Sequence, residues 1–253
     1  MSTPIPRLSA AIIVKDEAVA IGHCLDSLSG LAADIVVLDS GSVDGTQALC
    51  RARGVRVIET DWPGFGAQKQ RAVAAAANDW VLCVDADERI SAELASSIRK
   101  AMAAPAVTAY CFARRNRFLG RYLGHGEGYP DLSLRLFDRR HARWSEDTVH
   151  ERVIATGPVE QLSGDLLHDS AETLAVYLTK QNRYTSLAAD ALTERGVKVG
   201  ALRLIGSPLL RFIKFYVIRG GFRDGLPGLV HILIGCFNSF MKYAKRLEQQ
   251  RRS

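Results

Sequence analysis

"VLCVDADERI", residues 81–90, sets four apolar side chains ahead of a run of acids. Val81 to Val84 read as a buried strand. Asp85, Asp87 and Glu88 then place three carboxylates within four positions. Like charges this close disfavour one another's ionisation. In open parallel sheets, ligands bind outside the carboxyl ends of the strands. A hard cation there takes oxygen ligands, often one or two carboxylates plus substrate phosphates. The stretch therefore reads as a metal–diphosphate site, with Mg²⁺ or Mn²⁺ as the ion.

The flanking segments supply the sheet. Apolar runs at 8–14, 33–42, 55–59 and 79–85 alternate with helical patterns at 18–28, 44–54, 68–77 and 91–104. Strand alternating with helix predicts a parallel sheet covered on its faces by helices. The second apolar run ends "VVLDSGSVDGT", so Asp39 and Asp44 join the acids at one sheet edge. "GAQKQR" adds Lys69 and Arg71 at a helix start, where free N–H groups favour a diphosphate. Neither a GxGxxG fingerprint nor a GxxxxGK[ST] loop is present, which counts against dinucleotide and P-loop chemistry. Residues 107–118 and 131–140 predict further strands, and 172–196 a long helix.

Charge divides the chain. The net charge is +6, yet from Arg195 onward 12 Lys/Arg face two acids, a net of +10, leaving −4 for residues 1–194. The basic tail points to an anionic surface. "SPLLRFIKFYVIRGG" predicts a helix from Ser207-Pro208 to Gly-Gly, with Arg211, Lys214 and Arg219 inside an arc of roughly 140°. "GLVHILIGCFNSFMKYAKR" is apolar for about 16 residues, short of the ~20 that span a bilayer, and then carries Lys242 and Lys245. Both read as helices lying on an anionic membrane. A packed C-terminal helical pair is the plainer alternative. Cations interleaved with long aliphatic chains argue against nucleic acid. The expected domains are 1–196 and a membrane-associating extension, 197–253. Five scattered cysteines without a CxxC pair read as core residues of a reducing compartment. The N-terminus lacks an apolar leader core, so a cytoplasmic protein, peripheral on the inner membrane face, is expected.

"AAIIVKDEAVAIGHCLDSL", "DIVVLDSGSVDGT", "GFGAQKQRAVAAAANDWVLCVDADERI", "RLF" and "VHE" together resemble family 2 glycosyltransferases of the GT-A fold. "KQNRYTSLAAD", "RGGFRDGLPG" and "KYAK" add a resemblance to lipopolysaccharide inner-core glucosyltransferases, which place a β-linked glucose on a core heptose. The resemblance implies a Rossmann-like α/β sheet, a nucleotide-sugar donor such as UDP-glucose and a lipid-linked glycan acceptor. It implies that Glu17 and Asp39 hold base and ribose, that Asp85 and Asp87 engage ribose and metal–diphosphate, and that Lys69 faces the donor. Family members read Asn-Glu where this chain has Asp16-Glu17.

Inverting transfer needs a carboxylate to take the acceptor's proton opposite the leaving diphosphate. "WSEDTVHERV" offers Glu146, Asp147 and Glu151. The resemblance places "VHE" there and favours Glu151, with Asp147 second. A surface ion pair with Arg152 is the structural alternative for Glu151. His150 and His168 are candidate metal or phosphate contacts, and Tyr122, Tyr129 and Trp144 candidate sugar-stacking rings. A sugar nucleotidyltransferase lacks support, since no Gly-rich segment follows the first strand. A non-catalytic membrane scaffold fits poorly with intact Asp39, Asp85, Asp87 and Glu151.

Overall fold

The computed structural model describes residues 3–147, 151–169 and 173–252. In chain order the elements are β1 (Ile5–Val14), α1 (Ile21–Leu28), β2 (Ala32–Asp39), α2 (Thr46–Ala52), β3 (Arg56–Glu59), α3 (Phe65–Ala75), β4 (Trp80–Cys83), β5 (Glu88–Ile90) and α4 (Ala92–Ala103). There follow β6 (Ala109–Phe118), β7 (Arg121–Tyr122), β8 (Asp131–Asp138), β9 (Ala142–Trp144), β10 (Val153–Ala155), β11 (Val159–His168), α5 (Leu174–Glu194), α6 (Ala201–Phe212) and α7 (Gly225–Arg252). The sequence-based boundary at residue 196 is not where the chain divides. One compact unit is Met1–Arg114 with Asp131–Asp169, and the other Arg115–Pro130 with Ser170–Ser253. The long helix α5 joins the tail because it packs along α7.

In the first unit the sheet runs β3-β2-β1-β4-β8-β6-β11-β5. The pairs β3–β2, β2–β1 and β1–β4 are parallel, as the strand–helix alternation predicts. Beyond β4, the pairs β4–β8 and β8–β6 are antiparallel. Successive residues of β1 face opposite ways. Leu8, Ala10 and Ile12 join one buried cluster with Ile21, Cys24 and Leu28 of α1 and Leu94, Ile98 and Met102 of α4. Ala11 joins the other, with Val36, Leu38, Val81, Cys83 and Ala72 and Val73 of α3. Fully burying each large aliphatic chain contributes about 1.5–3 kcal/mol. Ser91 caps α4 as predicted, its Oγ accepting from the Leu94 N–H at 3.2 Å.

Chain order reverses beside β1: β2 and β3 lie to one side and β4 to the other. A crevice opens at the carboxyl ends of such strands. Val14, Asp39 and the chain leaving Cys83 toward Asp85 all end there.

The second unit is helical. Lys245 of α7 points its ammonium into the α5 turn, within 2.9 Å of oxygens of Asn182, Thr185 and Ser186. Asn238 donates to Gln181 at 2.7 Å, and Ser207 meets Ser239 at 2.8 Å. The helix expected to open at Ser207-Pro208 instead begins at Ala201, with Pro208 inside it. Proline removes one backbone donor there, but the adjacent Ser207 contact holds the turn onto α7. The helix passes into π spacing over Ile213–Ile218 and ends at Gly220, φ +65°. Buried Asp224 accepts the N–H groups of Gly124 and His125 at 3.0 and 2.8 Å. Arg211 donates to Glu127 at 3.0 Å. Arg211 and Lys245 were expected on a membrane face. Their charges are instead committed inside this unit, because Glu127 and the α5 oxygens lie within reach. No helix among the described residues is long and apolar enough to cross a membrane. All five cysteines are free, and all but the half-buried Cys111 are buried.

Candidate active site

The loops after β1 and β2 are laced together. The Asp16 N–H donates to Ser42 Oγ at 2.9 Å, and Asp16 Oδ1 accepts from Val43 N–H at 2.8 Å. Glu17 N–H reaches Thr46 Oγ1, and Ala18 N–H reaches Asp44 Oδ2, each at 2.9 Å. Asp16 has φ +55°, a left-handed conformation that Asp and Asn tolerate best. Asn would keep the same acceptor atom, so Asp at this position leaves the loop geometry intact. Burial, with the charges of Asp87, Asp44 and Asp16 behind it, pushes the Glu17 carboxyl above its usual range.

Asp39 is fully buried at the end of β2. Its Oδ1 accepts from Gly41 N–H, Ser42 N–H and Gln47 Nε2 at 3.0, 2.9 and 2.7 Å. Burial opposes ionisation, but these donors outweigh it and hold the carboxyl below its ordinary value. Asp39 Oδ2 is buried without a protein partner. An unmatched buried acceptor is costly and suits a ligand O–H or N–H. Gln68, also buried, gives its Nε2 to Ser40 Oγ at 3.0 Å and leaves Oε1 likewise unmatched.

The three acids of the opening stretch do not share one set of partners. Asp85 meets Lys69 Nζ at 3.1 Å and Arg135 Nη2 at 2.9 Å. Burial would raise its carboxyl, but these two cations hold it well below the normal range. Glu88 is fully buried, 3.0 Å from Arg114 Nε and 3.5 Å from Arg135 Nη2. Its Oε2 accepts the Asp85 N–H at 2.9 Å. Burial, aided by the Asp85 charge, pushes Glu88 up against the pull of both arginines. Arginine thus offsets two of the three acids. Asp87 turns the other way, its Oδ2 3.0 Å from His168 Nε2.

No group of three or more His, Cys, Asp or Glu among the described residues gathers closely enough to hold a metal alone. The Asp87–His168 pair has the spacing for a divalent ion, but Arg114 Nη2 lies 3.0 Å from both His168 ring nitrogens and would have to move aside to admit one. Two donors on adjacent vertices of an octahedron with bonds near 2.1 Å lie about 3 Å apart. Diphosphate oxygens and water would complete such a shell.

Lys69 is the hub. Its buried ammonium lies 3.1 Å from Asp85, 3.4 Å from Glu151 and 4.8 Å from the centre of the Trp144 ring. Glu151 therefore pairs with Lys69 and keeps partial exposure. Gly66, one turn earlier on α3, brings the helix against the segment carrying it. A Cβ there would lie 2.5 Å from the Ser145 carbonyl oxygen and 3.4 Å from Glu151 Cβ. Asp147 is exposed. Arg71 is not in the site. Two residues along a helix is about 200° of rotation, and Arg71 binds Asp61 at 2.7 Å. Trp144 is buried, its ring faced by Lys69 and Arg135 and its Nε1 3.4 Å from Cys83 Sγ. Enclosed in this way, it offers no face to a sugar. Tyr122 and Tyr129 belong to the second unit. His150 lies outside the described residues.

Arg135, Arg114 and Gln68 escaped the sequence reading. Arg135 had a signal: in "LSLRLF" a cation sits among leucines of a buried strand, which calls for a buried anion. Arg114 and Gln68 had none, lying among other polar residues.

A recess lined by Ile13, Lys69, Cys83, Asp85 and Arg135 thus opens where the parallel strands end, with Glu151 across Lys69 from Asp85. The model for glycosyl transferase family 2 matches residues 9–154, and the chain belongs to that family. A lipopolysaccharide core biosynthesis glycosyltransferase, LpsC, of Rhizobium meliloti is 32% identical over 251 residues, covering 95% of this chain and 93% of its own. An uncharacterised glycosyltransferase of Rickettsia felis is 30% identical, covering 96% and 90%. Among solved structures, the mannosyltransferase of Pyrobaculum calidifontis in complex with GDP-Man and Mn²⁺ superposes with a TM-score of 0.51 at 17% identity, over 96% of this chain and 87% of that one. The last likeness establishes a shared fold.

Proposed function

We propose that this glycosyltransferase is inverting and metal-dependent and that it moves glucose from UDP-glucose to a lipid-linked acceptor, the heptose of a lipopolysaccharide inner core. One observation carries the reading: Lys69 joins the donor-side acid Asp85 to the partly exposed Glu151. A base must meet the acceptor hydroxyl on one side while the diphosphate leaves on the other, and Glu151 is the carboxylate in reach. The unmatched Asp39 Oδ2 supports a nucleotide partner. Asp87 and His168 would hold a divalent ion, which offsets the charge of the leaving diphosphate when bound. The relationship to LpsC supports the choice of acceptor. The test is nucleotide release from UDP-, GDP- and dTDP-sugars with purified core lipid, with and without metal. UDP-glucose is expected to lead, and chelator to abolish release. Full turnover in excess EDTA would overturn the metal assignment.

The enzyme reaches its acceptor as a peripheral protein on the inner face of the cytoplasmic membrane. Along α6 and the π-helical turn, Leu202, Ile205, Leu209, Leu210, Val217 and Ile218 are all more than half exposed. Such a stretch marks an interaction surface. Arg203, Lys214, Arg219 and Arg223 are exposed around it, and between Arg195 and Arg223 there is no acid. Apolar faces fringed with cations bind anionic bilayers. The protein is expected to float with anionic liposomes at low salt, and Leu209→Asp with Ile218→Asp to abolish flotation. Equal flotation of this double variant would rule out the α6 surface.

A further inference from the structure

Three tryptophans serve three ends. Trp80 and Trp144 are buried, whereas Trp62 is 44% exposed and its neighbour Phe65 55% exposed. The two rings meet edge to face, 4.8 Å apart at 90°, so the edge of one takes up only one face of the other. The segment carrying them is fastened at its start. Thr60 N–H donates to Asp39 C=O at 2.9 Å, and Arg71 grips Asp61 at 2.7 Å and Thr60 Oγ1 at 3.3 Å. Immediately after Phe65, Gly66 lies against Ser145 and the Glu151 side chain. Two aromatic rings are thus open to solvent, Phe65 one residue and Trp62 four residues before the glycine that packs against Glu151.

We propose that Trp62 and Phe65 form the acceptor platform, with the apolar face of a pyranose ring packed on the indole and one hydroxyl turned toward Glu151. This rests on Glu151 being the base. The donor is assigned to the buried Asp39 and Lys69 and to Asp85, whereas Trp62 and Phe65 are exposed, so these rings are left for the second sugar. The surroundings suit a sugar better than a lipid chain. Polar Thr60 and Asp61 directly precede Trp62 in the chain and suit a ligand with an apolar face and a hydroxyl rim.

Kinetics and fluorescence test the assignment, using deacylated lipopolysaccharide core oligosaccharide ending in heptose as the probe. Trp62→Ala is expected to raise the acceptor KM by roughly tenfold, with the change falling on acceptor rather than donor KM, and Trp62→Phe to recover most of it. Because Trp62 is the exposed tryptophan, the oligosaccharide alone should shift the emission of the wild-type protein and leave that of Trp62→Ala unmoved. An acceptor KM unchanged in both Trp62→Ala and Phe65→Ala overturns the platform, as does emission that answers to lipid vesicles and not to the oligosaccharide. An active Glu151→Gln variant would remove the base assignment instead, a result separable from the Trp62 effect in the same assay.

Discussion

Glu151→Gln should lower kcat by about 10²–10⁴ while the donor KM stays near its wild-type value. The amide keeps the shape and a hydrogen-bonding oxygen but cannot take a proton. Lys69, 3.4 Å away, keeps its second partner Asp85, so the donor side loses no contact. A deficit confined to kcat therefore separates proton transfer from binding. Asp147→Asn is the control, since Asp147 is exposed beside the same segment. If that variant suffers the loss and Glu151→Gln does not, the base is Asp147.

Arg135→Met should be the most damaging single change to stability, at about 3–5 kcal/mol, the usual cost of breaking a buried ion pair from one side. Arg135 is 5% exposed and stands between Asp85, Glu88 and the Trp144 ring. Methionine fills the volume and stacks on the ring but leaves Glu88 to Arg114 and Asp85 to Lys69. Urea unfolding monitored by circular dichroism measures the loss, and an unchanged midpoint would contradict the buried-network account. Arg135→Lys should restore only part, because a point charge cannot donate to two acids and lie flat on an indole together. The pH dependence has a definite sign. A carboxyl held low in the fold stabilises above its unfolded pKa, near 3.9, and loses that contribution as pH falls below it. The wild-type advantage over Arg135→Met should therefore shrink under acid.

The parallel half of the sheet was legible because its signals are local. Apolar runs, Ser91 at a helix start and acids at strand ends each lie within one short window. The antiparallel half was legible as strands but not as an arrangement, since β8 beside β4 is a pairing of residues more than 50 apart in the chain. The acids were legible at the ends of the strands, but their partners were not. Sequence displays Asp85, Asp87 and Glu88 as neighbours. It does not display the arginines that β6 and β8 bring from 26 and 47 residues beyond Glu88. Their arrival converts a repulsive cluster into a compensated one. The tail shows the same limit: a helical wheel counts Arg211 and Lys245 as surface charge, and only the fold reveals Glu127 and the α5 oxygens waiting for them.

The lacing of the β1–α1 and β2–α2 loops has a consequence for the thermodynamics of ligand capture. Loops of this length usually fluctuate, and a ligand that orders them loses affinity to their entropy. Here four reciprocal hydrogen bonds between residues 16–18 and 42–46 fix both loops before any ligand arrives. Their ordering is completed when the chain folds. The end of the site proposed to take base and ribose is consequently a preformed mould, and its selectivity is that of a rigid shape. A nucleotide that does not fit cannot recruit loop movement to improve its contacts. Discrimination among donors at that end resides in ground-state complementarity rather than in closure.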